Sequence, residues 1–464
     1  MSNVSDAKIV SWLRHLDIDR PVAYALAMRC WQFPAGLVTT LLIAVCFTAE
    51  LQGYYYTISN LLALQTFVDL GLQWVILHFA SHEWSALQLD ARRQVSGDPV
   101  AQQRLAGLVV FATRWFSWAA VIFALVAATA GSWLFGRASH DVAWRVPGCL
   151  VILLAATSLA IGPRIAVLEG CQQVLAVNRT RLWQAVTGSL AVWAAMLAGT
   201  GLWAIVVATG VQIAWEIQLV WGSYRAFFRS LLSVTPKLDW HGEVWPLQWR
   251  MGVQSAVRYF AFYLFTPVMF AFHGAEVAGR MGMTWSVMSN IQLAAFAWTR
   301  ARAPRYGELV ARRDYAALDR EFFKASGVSL VALSAALLAL VLTVMGLARC
   351  GVAPLESLAG RFLDTPALIV FGAGQIPIHI VQCLSVYLRA HKRDPLLGIM
   401  VVSNALIGLT VFWFGSRFGP LAAGWGFAAV ATLVTMPGVA WVWWVSRRQW
   451  HTAAPAMSHE AGGR

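Results

Sequence analysis

The sequence predicts an all-α integral membrane protein with about twelve transmembrane helices arranged in two six-helix bundles. Of the 464 residues, 59% are hydrophobic and only 12% are charged, whereas a soluble domain carries about 25% charged residues. Apolar runs long enough to cross a hydrocarbon core of roughly 30 Å recur along the whole chain. In addition, the order of polar and apolar segments in the first half is repeated in the second.

The apolar runs are separated by polar loops, and each run has about the length of a membrane-spanning helix. The predicted spans lie near residues 21–48, 52–79, 106–135, 144–174, 181–199, 201–225, 245–272, 278–299, 323–347, 365–389, 395–415 and 418–446. Lys and Arg gather in alternate loops. "TRARAPRYGELVARRDYAALDREFFK", after the eighth span, is the richest of them, and "AELQ", after the first span, has none. Because basic loops stay on the cytoplasmic side, both termini are expected to be cytoplasmic, and the net charge of +13 does not require a nucleic-acid partner.

The two halves share one layout, which predicts parallel repeats. The expected organisation is a cytoplasmic segment at 1–20, bundles at 21–232 and 245–446, a polar cytoplasmic linker at 233–244 and a cytoplasmic tail at 447–464. In each half a basic connector of amphipathic character follows the second span, "SHEWSALQLDARRQ" in one and "RYGELVARRDYAALDREFF" in the other. Six spans per half is an even number, so both halves enter the membrane from the same side. This predicts a repeat axis along the membrane normal, with a site at the interface between the repeats.

Polar side chains recur at helical spacing within several spans. In the first span Arg29 and Gln32 are three residues apart, and in the seventh Arg250, Gln254 and Arg258 follow one another at every fourth position, so that each set lies on one helix face. The other polar candidates are Gln65, Asp69, Arg164, Glu169, Gln173, Glu216 and His379. A charge inside a bilayer costs between about 2.5 and more than 10 kcal/mol. The stripes therefore predict a water-filled cavity of net positive charge lined from both halves.

Each of these residues also has a structural interpretation, and the sequence leaves both open. Arg29, Arg250 and Glu169 lie near the cytoplasmic ends of their spans, where a long side chain reaches the interface. Asp69 could pair with an arginine of a neighbouring helix, and His379 could be a hydrogen-bonded packing residue. Glutamines could simply link helices.

The sequence predicts no catalytic residues, no cofactor and no metal site. It contains no GxxxxGK[ST] phosphate loop and no HExxH motif, and its serines and cysteines lack the contexts of known nucleophiles. The six cysteines are scattered through apolar segments without paired spacing, which indicates small buried hydrophobic residues rather than disulfides or zinc ligands. An enzyme is therefore not expected.

Arginines outnumber carboxylates among the residues predicted to lie within the membrane. The arginines are Arg29, Arg164, Arg250 and Arg258, and the carboxylates are Asp69, Glu169 and Glu216. The planar guanidinium group matches a phosphate with two parallel hydrogen bonds. The sequence thus predicts an anionic cargo that carries phosphate.

Several segments carry a family resemblance. "MRCWQFPAGLVTTLLI", "LQGYYYTISNLLALQTFVDLGL" with "HFASHEW" after it, "RYFAFYLFTPVMFAFHGAEVAGRMGM" and "LRAHKRDP" resemble the polysaccharide-biosynthesis branch, the Wzx-like oligosaccharide flippases, of the multidrug/oligosaccharidyl-lipid/polysaccharide exporter (MOP) superfamily. The resemblance implies two six-helix bundles that form a V around a central lumen, as in the MATE transporters. Twelve spans rather than fourteen fit this branch and argue against the lipid II flippases.

The resemblance also implies a function. The cargo would be an oligosaccharide on undecaprenyl diphosphate, turned over by alternating access from the cytoplasmic to the periplasmic leaflet of a bacterial inner membrane for O-antigen, capsule or exopolysaccharide synthesis. Lumenal cations would hold the diphosphate, and the positions suited to this by location and chemistry are Arg29, Arg164, Arg250 and Arg258. The expected partners are the lipid-linked oligosaccharide, membrane lipids and the polysaccharide polymerase or assembly machinery.

Two other functions stay open at this point. One is a MATE-type drug or cation antiporter, which would depend on Asp69 or Glu216 for coupling to protons or sodium. The other is a membrane scaffold for polysaccharide assembly that transports nothing.

Overall fold

The computed structural model describes residues 20–452, except residues 70, 91, 138–141, 237–251, 253–256, 258, 392 and 394 and the side chains of Val68 and Trp74. The chain divides into two compact units, Met1–Ala256 and Val257–Arg464. Most of the predicted linker at 233–244 lies outside the described residues, so its boundaries remain a prediction. Arg250, Gln254 and Arg258 also lie outside them.

Both units are built almost entirely of helices. The elements of the N-terminal unit are α1 (Arg20–Cys46), α2 (Ala49–Leu62), α3 (Leu64–Asp69), α4 (Leu72–Trp84), β1 (Leu87–Leu89), β2 (Val95–Gly97), α5 (Pro99–Phe135), α6 (Arg145–Gly170), α7 (Val174–Leu197), α8 (Trp203–Ile217), a π-helical segment (Gln218–Ser223) and α9 (Arg225–Leu232). Those of the C-terminal unit are α10 (Phe265–His273), α11 (Ala275–Arg300), α12 (Ala303–Ala311), α13 (Tyr315–Leu347), α14 (Ala353–Ala359), α15 (Thr365–Ala390), α16 (Leu397–Phe418), α17 (Pro420–Val430), a second π-helical segment (Ala431–Thr435) and α18 (Met436–Thr452).

The described part of the chain contains eight helices that are long and apolar enough to cross a membrane. They are Arg20–Cys46, Pro99–Phe135, Arg145–Gly170, Trp203–Ser223, Tyr315–Leu347, Thr365–Ala390, Leu397–Phe418 and Pro420–His451. Four further predicted spans are helical but depart from this pattern. The second is divided into α2, α3 and α4, and the seventh begins outside the described residues. The fifth and eighth (α7 and α11) carry charged residues within their first two turns. The prediction of an all-α membrane protein is confirmed.

The two halves carry irregularities at equivalent places. The fourth span of each contains an internal proline, Pro163 in α6 and Pro377 in α15. The last span of each contains a π-helical segment. A proline removes a helical hydrogen bond, and a π segment widens the helix locally. The fourth span and the last span of each half are therefore bent or loosened at equivalent places.

The two amphipathic connectors differ in structure. The connector of the C-terminal unit forms most of α12 and the start of α13. That of the N-terminal unit forms, with the residues after it, an antiparallel hairpin in which Leu87 pairs with Gly97 and Leu89 with Val95. The backbone N–H of Val95 donates to Ser230 Oγ of α9 at 3.0 Å. The hairpin is therefore attached to the short helix that follows the sixth span.

Helix packing in the N-terminal unit depends on small residues. Gly170, the last residue of α6, lies so close to α4 that an added Cβ would be 2.5 Å from the Leu77 carbonyl oxygen and 2.7 Å from the Ala80 Cβ. Lipid tails are as apolar as side chains, so such close van der Waals contact, rather than removal of apolar surface from water, stabilises helices against one another in a membrane. The contact fixes α4 and α6, which carry the site described next.

Candidate functional site

The N-terminal unit contains an open cavity of about 570 Å³, lined by residues of α3, α4, α6, α7, α8 and the π-helical segment that follows α8. Its walls hold four glutamines, three carboxyl groups and one guanidinium group. The polar and glycine residues that line it are Gln65, Thr66, Asp69, Gly71, Gln73, Ser158, Gly162, Glu169, Thr180, Arg181, Gln184, Gln212 and Glu216. The apolar ones are Leu77, Leu159, Ile165, Ala166, Val177 and Leu219. A volume of this size is typical of sites for small molecules, and its walls combine apolar side chains with many polar ones.

Gln65, Asp69 and Gln73 line the cavity together, as their four-residue spacing predicts, although the helix is interrupted between them. Gly71 has a φ of 69°, a left-handed conformation that glycine adopts at little cost. Beyond this break α4 begins, and the backbone N–H of Gln73 donates to Asp69 Oδ1 at 3.4 Å. Asp69 thus lies at the N-terminus of α4, where the helix dipole favours a negative charge.

Glu216 forms the deep end of the cavity and is only 8% exposed. Its carboxyl oxygens lie 3.0 and 2.8 Å from Ser158 Oγ, and Gln212 Nε2 donates to Oε1 at 3.0 Å. Gln212 Nε2 is also 3.2 Å from Ser158 Oγ, so the three side chains form one network. Within the part of the chain that the structure describes, this buried carboxyl group hydrogen-bonds to the neutral side chains Ser158 and Gln212.

Glu169 has a different partner. Arg181 of α7 donates from Nη1 to Glu169 Oε1 at 3.2 Å and from Nη2 to Oε2 at 2.8 Å, a bidentate ion pair across the cavity wall. Both nitrogen atoms at the end of the guanidinium group are therefore engaged. The guanidinium group of Arg181 is therefore paired with one carboxyl group, and the other two carboxyl groups of the cavity, those of Asp69 and Glu216, have no arginine partner among its described lining residues.

The other candidates of the N-terminal unit lie outside this cavity. Arg29 and Gln32 are exposed on α1. Arg164 is half-buried; its Nη1 donates to the Ala160 carbonyl oxygen at 3.3 Å, and its guanidinium carbon lies 5.4 Å from the centroid of the Trp221 ring. The structure therefore brings the acidic candidates together and places these two arginines elsewhere.

Gln173 has a structural role at the start of α7. Its Oε1 accepts a hydrogen bond from the Tyr224 hydroxyl group at 3.0 Å, and its Nε2 donates to the Cys171 carbonyl oxygen at 3.1 Å. This contact ties the α6–α7 turn to the end of the sixth span.

His379 is fully buried in the C-terminal unit, on α15. Its Nε2 lies 2.8 Å from Ser329 Oγ, and that hydroxyl group donates to the Ala295 carbonyl oxygen at 2.6 Å. Because the single hydroxyl proton is used there, Nε2 must be the donor to Ser329. His379 therefore links α11, α13 and α15, in agreement with the packing interpretation.

Three of the polar lining residues that the sequence did not predict are Ser158, Arg181 and Gln184. Arg181 and Gln184 are three positions apart in the fifth span and could have been found by the spacing rule used for the other spans. Ser158 lies in the apolar run "LLAATSLAIG", where the adjacent hydroxyl groups of Thr157 and Ser158 give no periodic signal. Its position opposite Glu216 depends on how α6 packs against α8.

No protein-family model matches the chain, and no curated protein matches it in sequence. Several solved structures match its fold over nearly the full length. The lipid II flippase MurJ in an inward closed conformation is 13% identical, with a TM-score of 0.57 over 93% of this chain and 89% of that one. An inward-facing multidrug resistance MATE family transporter of the MOP superfamily is 12% identical, with a TM-score of 0.59 over 91% and 100%.

A second MATE structure, in complex with MaL6, is 10% identical, with a TM-score of 0.55 over 93% of this chain and 95% of that one. At these identities the likeness concerns the fold. The chain is a multi-pass membrane protein with an all-α transporter fold similar to those of MurJ and the MATE transporters.

Proposed function

We propose that this protein flips an undecaprenyl-diphosphate-linked oligosaccharide from the cytoplasmic to the periplasmic leaflet of a bacterial inner membrane, for polysaccharide synthesis. The observation that carries the proposal is the cavity of the N-terminal unit, within a fold similar to that of a lipid II flippase. The sequence resemblance to the oligosaccharide flippases supports the same assignment.

The chemistry of the cavity suits a sugar. Amide groups both donate and accept hydrogen bonds, as sugar hydroxyl groups require. Four side-chain amide groups line the cavity, those of Gln65, Gln73, Gln184 and Gln212. A MATE-type cavity for apolar drugs would be expected to have mostly apolar and aromatic walls. Here the described lining contains no aromatic residue.

The diphosphate needs cations, and Arg29 and Arg164 do not line this cavity. In the proposed mechanism Arg29, Arg164, Arg250 and Arg258 receive the diphosphate, while the glycan occupies the cavity and the polyprenyl chain stays in lipid. The rocking of two repeats would then carry the head group across. Moving negative charge outward against an inside-negative potential is favourable by about 2.3 kcal/mol per charge per 100 mV, so the potential alone can supply a driving force.

The proposal is tested in a strain that lacks the protein. We expect lipid-linked oligosaccharide to accumulate in the cytoplasmic leaflet and to be cleared when the wild-type gene is returned. Thr180→Trp, which fills the cavity from α7, should not restore clearance. Leu190→Trp, at a position of the same helix that is 49% exposed and does not line the cavity, should restore it. If the deletion causes no accumulation, the proposed function is wrong for that strain's glycan; if Thr180→Trp restores clearance, the cavity is not the cargo site.

A second candidate function is a drug or cation antiporter, and the carboxyl groups of the cavity favour it. Asp69 and Glu216 line the cavity, and cations in transit would bind there in turn with protons or sodium. This function predicts that Asp69→Asn or Glu216→Gln abolishes efflux of a cationic dye, while Arg29→Ala and Arg164→Ala leave it unchanged. Clearance of lipid-linked oligosaccharide by the protein, without dye efflux, would exclude it.

A further inference from the structure

We infer that a buried water molecule binds between α11 and α15 in the C-terminal unit, held by Gln292, Gln375 and His379. These side chains are at least nine-tenths buried: Gln292 is 9% exposed, Gln375 1% and His379 0%. Within the part of the chain that the structure describes, Gln292 Nε2, Gln375 Nε2 and His379 Nδ1 are buried atoms without a hydrogen-bond partner. An unpaired polar atom is costly to bury, and an ordered water is the usual partner where no protein group reaches it.

The two glutamines lie at one level of the two helices. Met288 Cε of α11 is 3.8 Å from the position that a Cβ on Gly372 of α15 would take. Eleven residues later on both helices, Thr299 Oγ1 lies 3.5 Å from Cys383 Sγ, so the helices run in the same direction and in register. The glutamines lie one turn beyond the first of these contacts, on the helix faces that the contacts define. They therefore lie side by side between α11 and α15.

His379 lies one turn beyond Gln375 on the same face of α15. Its Nε2 donates to Ser329 Oγ at 2.8 Å, because the Ser329 hydroxyl proton is used on the Ala295 carbonyl oxygen at 2.6 Å. In the neutral ring Nδ1 then carries a lone pair and accepts, whereas each glutamine Nε2 donates. A water molecule matches this set, since its oxygen accepts from the two amide groups and one of its protons goes to Nδ1.

The unpaired atoms favour water over an ion. Two of the three are N–H donors, which turn their positive ends toward a ligand and so disfavour a cation. An anion would be buried without a positive group among the three side chains, at a far higher cost than a neutral molecule. Hydrogen bonds between helices stabilise their association in a membrane. The bound water thus links α11 to α15. This site is in the other unit from the cavity and is independent of the proposed function.

The test compares two buried methionines of the C-terminal unit under a brief X-ray pulse. The pulse makes hydroxyl radicals from water, so a side chain closed to bulk solvent is oxidised only where a bound water lies near it. Met288 and Met269 are both 0% exposed. Met288 lies one turn from Gln292, whereas the methyl group of Met269 lies beside Gly415 of α16. In detergent-purified wild-type protein, we expect mass spectrometry to show sulfoxide forming several-fold faster at Met288 than at Met269.

The variant Gln292→Leu/Gln375→Leu removes both donors, and Met288 should then be oxidised no faster than Met269. Gln88→Leu, which replaces an exposed glutamine of β1, is the control and should leave both rates unchanged. Equal rates at the two methionines of the wild type would overturn the inference. Rapid oxidation of Met288 that persists in the double variant would also overturn it, because the water would then lie elsewhere. The wild-type comparison needs no variant, so it decides the matter even if the double variant does not fold.

Discussion

Replacement of Gly170 by alanine tests the helix contact that shapes the cavity. The added Cβ would lie 2.5 Å from the Leu77 carbonyl oxygen, 2.7 Å from the Ala80 Cβ and 3.2 Å from the Ser81 backbone nitrogen. Two of these atoms belong to backbone and cannot turn aside, so α4 and α6 must separate by about 1 Å to reach ordinary contact distances. Overpacking of this kind costs about 1–3 kcal/mol of folding free energy.

The assay is thermal unfolding of the detergent-purified protein, with Gly188→Ala as the matched control. A Cβ at Gly188, within α7, meets no atom within 4 Å. That variant should be as stable as the wild type or more stable by up to about 1 kcal/mol, because alanine favours the helix. Gly170→Ala should melt at a clearly lower temperature. If Gly170→Ala were as stable as Gly188→Ala, the close contact of α4 with α6 would be refuted.

Three further changes probe the charged and polar groups. Arg181→Gln should lower the free energy of unfolding by about 1–2 kcal/mol, since the ion pair of Arg181 with Glu169 is partly buried. The double variant Glu169→Arg/Arg181→Glu should recover most of this loss in thermal melts. If it recovers none, the two residues do not form a direct pair. Ser158→Ala removes a hydroxyl group from the buried carboxyl group at the deep end and should cost about 1–2 kcal/mol in the same melts; an unchanged melting temperature would refute that contact. Among the predicted lumenal arginines outside the described residues, Arg258→Ala should slow flipping more than Arg250→Ala, because Arg258 lies deeper in its predicted span; equal, negligible losses would exclude a cationic role for both.

The segmentation of the chain could be read from the sequence because it depends on local properties. Length and hydropathy of each run decide whether it can span a bilayer. Most helices end within a few residues of the predicted positions, whereas α5, α7 and α13 begin seven or eight residues before them. Gln65, Asp69, Glu169 and Glu216 were singled out because polar groups within the membrane must face a cavity or a partner, and the structure places all four in one cavity.

The partners of these groups could not be predicted in the same way. Whether Glu169 meets Arg181 or another cation depends on how α6 packs against α7, which no spacing rule encodes. The hairpin at Leu87–Leu89 and Val95–Gly97 was also missed, because in so short a connector its alternating residues give the same amphipathic signal as a helix. The predicted positive lumen involves arginines of both halves and remains a prediction. What the structure describes is a cavity within the N-terminal unit that is lined by three carboxyl groups and one guanidinium group.

The most direct test of the account is the rate at which the purified protein, alone in vesicles, flips a neutral lipid-linked oligosaccharide. We predict flipping by the wild-type protein and by Leu190→Trp, and none above the rate of protein-free vesicles for Thr180→Trp. Flipping by Thr180→Trp at the wild-type rate would show that the cavity of the N-terminal unit does not hold the cargo. Absence of flipping by the wild type, together with proton- or sodium-driven dye efflux from the same vesicles, would contradict the flippase and establish the antiporter.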